Sequence, residues 1–416
     1  MRIVIHDVSG HPFQIQLSRE LARRGHQVLH LYFDSFHSPR GNVLRLPCDP
    51  GGFSIEGLEF DCPFEKYNLV KRRLHEARYG RLAADRIAAF RPDALVASNT
   101  PIDAQNIIHA RCRRLGIPIV FWLQDIYSMA IRSILRRKAI PFAPAIAACV
   151  AAWYGRAERR LLRESGAVVS ISSDFENIMS QWRVDPRRCF TIENWAPLDE
   201  VPAGRQDNAW SRRHGLAGKF VFLYSGTIGM KHNPGMLVHL ADALAARPDI
   251  PSKAPPAEVV VISEGLGADW IKTRMAEKPR PNLRVLPLQP FRDVPDALAS
   301  AGVLIALLGE ESGEFSVPSK VLTYHCAARP LLLAVPARNL AARIVERNNT
   351  GLVVRPDNQD QFAAAARRLY SDAGLRRQCG ENARRYAEEK FDIAGIAKQF
   401  EDILEGVRSQ PRRMVA

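Results

Sequence analysis

Short apolar runs alternate with amphipathic segments from the first residue of the chain. "RIVIH" (Arg2–His6) is a run suited to a strand covered on both faces, "DVSGHPF" (Asp7–Phe13) is a turn, and "QIQLSRELARRG" (Gln14–Gly25) repeats its apolar positions at helical spacing and stops at a glycine. "HQVLHLYF" (His26–Phe33) reads as a second strand, followed by "ALVASN" (Ala94–Asn99), "PIVFWLQD" (Pro118–Asp125) and "GAVVSIS" (Gly166–Ser172), each with a helical segment after it. Strand and helix in strict alternation predict a doubly wound parallel sheet. The pattern breaks at "ENWAPLDEVPAGRQDN" (Glu193–Asn208), whose prolines, glycines and polar residues read as a linker. It then resumes with "KFVFLYSG" (Lys219–Gly226), "EVVVISEG" (Glu258–Gly265), "NLRVLPL" (Asn282–Leu288), "GVLIALLG" (Gly302–Gly309), "RPLLLAVP" (Arg329–Pro336) and "GLVVRPD" (Gly351–Asp357). The expected architecture is α/β: one doubly wound domain over residues 1–196, a second over 197–385, and a helical tail, 386–416, ending in "IAKQFEDILEGV" (Ile396–Val407). Such domains carry their binding loops at the carboxyl ends of the strands, so two of them are expected to face one cleft.

Composition changes this picture in one respect. The 416 residues are 46% hydrophobic and 25% charged, ordinary for globular domains, but the net charge is +14. That surplus calls for an anionic partner. It is also concentrated: Arg111–Glu164 holds eleven Lys/Arg against three Asp/Glu. Seven scattered cysteines without a C-x-x-C pair argue against a disulfide framework or zinc site and for a reducing compartment. A strand beginning at Arg2 leaves no room for a signal peptide, and no apolar stretch reaches the roughly 18 residues of a spanning helix.

Candidate chemistry lies at the predicted strand ends. "YSGTIGMKHNPG" (Tyr224–Gly235) follows an apolar run with glycines, hydroxyls and one lysine, Lys231, and Pro234 suits the first turn of a helix. Free N–H groups at such a turn, with a lysine, can receive a phosphate. "GEFSVPSKVLTYHCAARPLLLAV" (Gly313–Val335) places a second lysine, Lys320, at another helix start, where Pro318 and Ser319 read as initiating residues. In the first half, His6, Asp7 and His11 follow one strand and Asp125 follows another, where a histidine or carboxylate can orient a hydroxyl or relay a proton. Several patterns are absent from the sequence: a G-x-G-x-x-G after the first strand ("SEGLG", Ser263–Gly267, lacks the third glycine), a D-x-D pair, a G-x-S-x-G elbow and an H-E-x-x-H helix.

These stretches together resemble retaining glycosyltransferases of family 4 with the GT-B architecture, most closely the bacterial enzymes that assemble O-antigen, exopolysaccharide or lipopolysaccharide. The resemblance runs through "SGHPFQIQLSRELARRGHQV", "WLQDIYS", "YSGTIGMKHN" and "FSVPSKVLTYHCAARP", and implies that the C-terminal helix crosses back to the first domain. It implies that Lys231 contacts a donor diphosphate, with Gly226, Thr227 and Gly229 shaping the turn and Ser319 and Lys320 sharing the contact. Glu264 and the loop "LQPFRDVP" (Leu288–Pro295), with Pro290 and Phe291, would serve the nucleotide, and Glu314 and Thr323 the donor's sugar and ribose. Asp125 corresponds to the first-domain residue that holds the donor sugar, and Gly10 and His11 to the acceptor side; Asp125, Lys231 and His11 are the expected catalytic residues. Two departures stand out. Relatives often have arginine where this chain has Thr227, and an acid where it has Thr323.

The resemblance implies no cofactor and no metal: the donor is a nucleotide sugar, expected to be UDP-linked, and the acceptor a polyprenyl-diphosphate-linked or other saccharide. Arg132–Arg163, cationic at its ends and apolar between, is expected to bind the anionic inner face of the plasma membrane from the cytoplasm. Two alternatives share parts of the pattern. A UDP-sugar 2-epimerase of the same architecture needs acid and base carboxylates at its site. A basic nucleic-acid-binding protein needs a recognition module such as a helix-turn-helix, which the sequence does not show, so nucleic acid is not an expected partner.

Overall fold

A computed structural model describes residues 1–36, 40–65, 68–98, 100–129, 143–246, 254–310 and 319–409. The chain divides into two compact units, one formed by Met1–Glu193 with Ile393–Ala416 and the other by Asn194–Asp392.

In the first unit the described residues form a seven-stranded parallel sheet from β1 (Arg2–Asp7), β2 (Gln27–Phe33), β3 (Phe53–Leu58), β4 (Ala94–Ser98), β5 (Ile119–Leu123), β6 (Ala167–Ser170) and β7 (Cys189–Thr191), in the order 3-2-1-4-5-6-7. Ile3, Val4 and Ile5 are fully buried because helices cover both faces of a central parallel strand. The order reverses beside β1, which pairs with β2 on one side and β4 on the other. At such a reversal the flanking loops part and leave a crevice above the strand's carboxyl end. The sequence misses β3 and β7 because neither is a continuous apolar run: β3 is half-buried along most of its length and β7 is three residues with two of them exposed.

The second unit repeats the plan with six described strands: β8 (Phe220–Ser225), β9 (Ala257–Ile262), β10 (Leu283–Leu286), β11 (Val303–Leu307), β12 (Leu331–Ala334) and β13 (Gly351–Val354), in the order 10-9-8-11-12-13. The reversal here falls at β8, between β9 and β11. Its core gathers Phe222, Tyr224, Leu237, Val259, Ile305, Leu332 and Phe362. The stretch expected to be a loose linker is packed instead. Trp195 and Val201 are buried, and the carbonyls of Val201 and Gly204 accept hydrogen bonds from Arg384 and Arg329 of the same unit.

The C-terminal helix Ile393–Ser409 belongs to the first unit, where it lies against the helix Pro12–Arg23 and against β5. Phe400 is fully buried with its ring 4.7 Å from that of Trp122. Glu401 accepts from Arg24 and pairs with His26, both at 2.8 Å, and the Arg24 hydrogen bond holds its carboxyl below the usual range. Val407 packs on Gly166, where a Cβ would lie 3.0 Å from it. No described helix is long and apolar enough to cross a membrane.

Removing the Phe400 ring leaves a cavity beside Trp122, so Phe400→Ala should destabilise the first unit by about 3–5 kcal/mol, read as a lower urea midpoint for tryptophan fluorescence. A second prediction concerns acid. His6 lies 2.7 Å from the Tyr79 hydroxyl, His30 2.8 Å from Ser18, His109 3.2 Å from Ser165 and His325 2.7 Å from the Val321 carbonyl. Burial lowers each of these four imidazoles from 6.5 to about 4. Their neutral forms are thus favoured by folding. The stability is complete above 6.5, where the unfolded chain is also neutral, and is lost as pH falls from 6.5 towards 4, at about 1.4 kcal/mol per pH unit per histidine. Urea midpoints measured from about pH 7.5 to 4.5 should fall steeply in that window; a flat profile would contradict the buried neutral assignment.

Candidate active site

The turn after β8 is closely constrained by its own backbone and by its neighbours. Gly226 takes a φ of 120°, which favours glycine, and its N–H donates to the Ile262 carbonyl at 2.9 Å. Ile228 is buried, while Thr227 and Lys231 are exposed. Met230–His232 form one short turn, Asn233 adopts a left-handed conformation, and the helix starts only at Gly235. Lys231 therefore sits one turn before the helix rather than on its first turn, and Pro234 occupies the capping position. Two further glycines pin the turn from outside. Gly267 N–H donates to the Ile228 carbonyl at 3.0 Å and Gly309 N–H to the Lys231 carbonyl at 3.1 Å. A Cβ at either would stand 2.5 and 2.2 Å from those same oxygens, so no side chain fits.

Lys320 approaches the turn from beneath. It is the second residue of the helix Ser319–Cys326, and its Nζ lies 3.7 Å from the centroid of the Tyr224 ring. A Cβ on Gly226 would be 3.1 Å from that nitrogen. Burial lowers the Lys320 amine from 10.5 to about 7. His232, with Nδ1 accepting from Gly229 N–H at 2.9 Å, is lowered to about 4 by burial first and then by the charges of Lys320 and Lys231. Both ammonium groups thus bear on one turn. Neither has an ion-pair partner among the described residues. Tyr324 secures the strand end, accepting from Ser225 N–H at 3.0 Å and donating to its carbonyl at 3.2 Å.

The remaining sequence-derived residues fall into place around this turn or beyond it. Glu264 is exposed after β9 and accepts from Leu288 N–H at 3.3 Å, which ties it to the loop carrying Pro290 and Phe291. Ser319 and Thr323 lie one turn apart on the helix that carries Lys320, Ser319 being its first residue. Glu314 and Pro318 lie outside the described residues, as does 130–142 of the basic stretch. Tyr224, Tyr324, His232, Gly267 and Gly309 were not singled out in the sequence. The signals available were the histidine beside Lys231 and a glycine at each neighbouring strand end, including the second glycine of "SEGLG".

In the first unit the loop after β1 is organised by Asp7. Its buried carboxylate accepts from Ser9 N–H at 3.0 Å and His11 N–H at 2.5 Å and lies 3.2 Å from His11 Nδ1. Gly10, between them, takes a φ of 70°. Burial alone would raise the Asp7 carboxyl, but the His11 charge and hydrogen bonds hold it at about 2. For His11 burial pulls downwards, and the Asp7 charge and hydrogen bond, with Asp125, raise the imidazole above its ordinary value. His11, 26% exposed, and Asp125, exposed after β5, therefore act on one another electrostatically. Behind them His6 bridges Tyr79 and Thr100.

Family comparison matches both halves. Residues 14–195 fit the glycosyl transferase 4-like domain and residues 206–386 fit glycosyl transferases group 1. No curated protein sequence matches the chain. Among solved structures, sucrose-phosphate synthase from Thermosynechococcus elongatus is similar with a TM-score of 0.71 at 15% identity, over 97% of this chain and 98% of that one. HepE of Anabaena in complex with UDP and glucose gives 0.67 at 17% identity, over 97% and 99%. A UDP-forming α,α-trehalose-phosphate synthase from Burkholderia xenovorans, in complex with glucose-6-phosphate, gives 0.65 at 11% identity, over 97% and 100%. At these identities the structural likeness is one of fold, and it agrees with the two domain matches, made in chain order and leaving only short segments uncovered: the protein is a GT-B glycosyltransferase, a glycosyl transferase 4-like domain followed by a group 1 domain.

Proposed function

We propose that the enzyme transfers a sugar from a nucleotide diphosphate donor, UDP-linked, to a lipid-carried saccharide with retention of configuration. One observation carries the donor side: two lysine amines, Lys231 and Lys320, without ion-pair partners among the described residues bear on the glycine turn at the carboxyl end of β8. UDP or UDP-glucose occupies the similar HepE structures, which supports a uridine donor. Departure of the sugar builds negative charge on the diphosphate oxygen, and fixed cations aimed at that oxygen lower the barrier. The main-chain pins at Gly267 and Gly309 hold the turn in place, so little reorganisation accompanies the reaction. Lys231 and Lys320 then take the charge that relatives share with arginine at the position of Thr227, and Ser319 and Thr323 line the same helix end. In the first domain, Asp7 orients His11 towards the acceptor hydroxyl and Asp125 holds the donor sugar; the leaving diphosphate itself receives the acceptor's proton.

A lipid-carried acceptor is supported by the surface of the first domain. The helix Leu69–Phe90 exposes Val70 and Leu74 beside Lys71 and Arg73. Arg73 stacks over Trp153 at 4.7 Å, and Trp153 is itself half-exposed on the basic helix Ala143–Glu164. Apolar side chains and an aromatic ring among cations suit the interface of an anionic leaflet. Surface-polysaccharide assembly at the cytoplasmic face of the membrane is the setting in which such an acceptor is found.

Saturating UDP should raise the melting temperature of the wild type by several degrees, and Lys231→Ala should lose most of that rise while reducing kcat for transfer by about 10²–10³. Wild-type turnover in Lys231→Ala would overturn the donor assignment, and conversion of a UDP-sugar without any acceptor would indicate an epimerase. A second test uses Lys320. In the free protein its amine is neutral above about 7; a bound diphosphate favours the ammonium form and raises that value. UDP binding at about pH 8 should therefore take up most of one proton, measured calorimetrically in buffers of different ionisation enthalpy, and the uptake should vanish in Lys320→Met. Absence of uptake in the wild type would remove Lys320 from the site.

A further inference from the structure

The second unit has another basic concavity, at the amino-terminal end of its strands, the opposite end from the glycine turn. It is a pocket of about 580 Å³ between the residues that precede β11 and β12 (Gly302 and Pro330) and the helix Ala373–Lys390. Its volume falls in the range of small-molecule sites. Five arginines line it, at 329, 376, 377, 384 and 385, against two glutamates, Glu381 and Glu388. On the helix, Arg376 and Arg377 recur as Arg384 and Arg385 eight residues on, a little over two turns, which brings both pairs to one face. Of all these charges only Arg384 and Glu388 pair among the described residues, at 2.7 Å.

Three of the guanidinium groups are held in position by main-chain carbonyls. Arg329 donates through Nε and Nη2 to the Ala299 carbonyl, and through Nη2 to that of Gly204. Arg376 donates through Nη1 to the carbonyls of Leu369 and Tyr370, at 2.7 Å each, and lies over the Phe220 ring. Arg384 donates through Nη1 to the carbonyls of Cys326 and Val201. Carbonyls fix Arg329 and Arg376 without neutralising them, while Arg384 also carries its ion pair with Glu388. Burial disfavours the charged form and so holds the Arg329 and Arg376 guanidinium groups below their ordinary pKa. Gly380 lets the helix approach this closely: a Cβ there would stand 2.6 Å from the Ala328 carbonyl.

We infer that this pocket is a second anion site, for a phosphate-bearing ligand, separate from the donor turn. The donors that the three anchored arginines leave unused, Nη1 of Arg329, Nε and Nη2 of Arg376 and Nη2 of Arg384, are already ordered by the fold, so little side-chain freedom remains to be lost when they meet phosphate oxygens. The exposed Arg377 and Arg385 complete the ring of charge and have no hydrogen bond or ion pair among the described residues, so both can be removed without disturbing the fold. The same chemistry is offered by a soluble phosphate compound and by the headgroup of an anionic lipid.

Inorganic pyrophosphate, titrated calorimetrically, separates this site from the donor turn. The Lys231→Ala protein should keep a pyrophosphate-binding event, and adding Arg377→Ala and Arg385→Ala should weaken that event about tenfold or more. Cosedimentation with phosphatidylglycerol vesicles distinguishes the sources. For a lipid headgroup, Arg377→Ala/Arg385→Ala releases the protein from vesicles while the charge-matched control Arg111→Ala/Arg114→Ala does not; for a soluble ligand both variants sediment alike and only pyrophosphate binding falls. If the paired substitution changes neither pyrophosphate binding nor vesicle binding beyond the control, the pocket is not an anion site.

Discussion

The second domain depends on a backbone contact at the turn between β8 and the next helix. Main-chain N–H groups of Gly267 and Gly309, each at the end of a neighbouring strand's loop, donate to the carbonyls of Ile228 and Lys231. The contact is possible only because neither residue has a Cβ. Three strands that diverge at the sheet reversal are thereby joined above it, and the turn is held by main chain on both sides. A lysine displayed from such a turn keeps its place whatever the solvent does. The same logic governs the first domain with a side chain in the role of the glycines, since the Asp7 carboxylate collects the N–H groups of Ser9 and His11.

At the turn after β8 the lysines are not neutralised by carboxylates among the described residues. Lys320 rests on the face of Tyr224 rather than beside a carboxylate, and His232 is kept neutral between two ammonium groups. A ring quadrupole stabilises a cation without competing for its hydrogen bonds as an acid would. The site therefore retains its capacity for an anionic ligand. The second lysine at the turn comes from the helix Ser319–Cys326, not from the turn's own sequence.

Much of the fold was legible because buried parallel strands are continuous apolar runs, and all six strands of the second sheet were found that way. β3 and β7 escape because polar residues interrupt them and most of their positions are only half-buried or exposed. The segment that holds Trp195 and Val201 reads as linker because partners of its main chain, Arg329 on Gly204 and Arg384 on Val201, lie far along the chain. At the candidate site, the two lysines and the glycine turn could be read from local pattern, while the pinning glycines could not, since their role is defined by a carbonyl some forty to eighty residues away. The arginine pocket is a stronger case. Its cations come from 329, 376–377 and 384–385, and the repeat of the two pairs along one helix does not reveal that Arg329, some fifty residues earlier, joins them.

The return of the helix Ile393–Ser409 to the first unit gives biosynthesis a particular order. Trp122, Gly166 and the Arg24–His26 corner have their partners at Phe400, Val407 and Glu401, which leave the ribosome only after the whole of the second unit. The first domain must wait, partly uncovered, while the whole of the second is made, so the domain whose residues come first in the chain is the one completed second. Its unfinished surface, including the exposed side of Trp122, is where a chaperone would find the nascent protein.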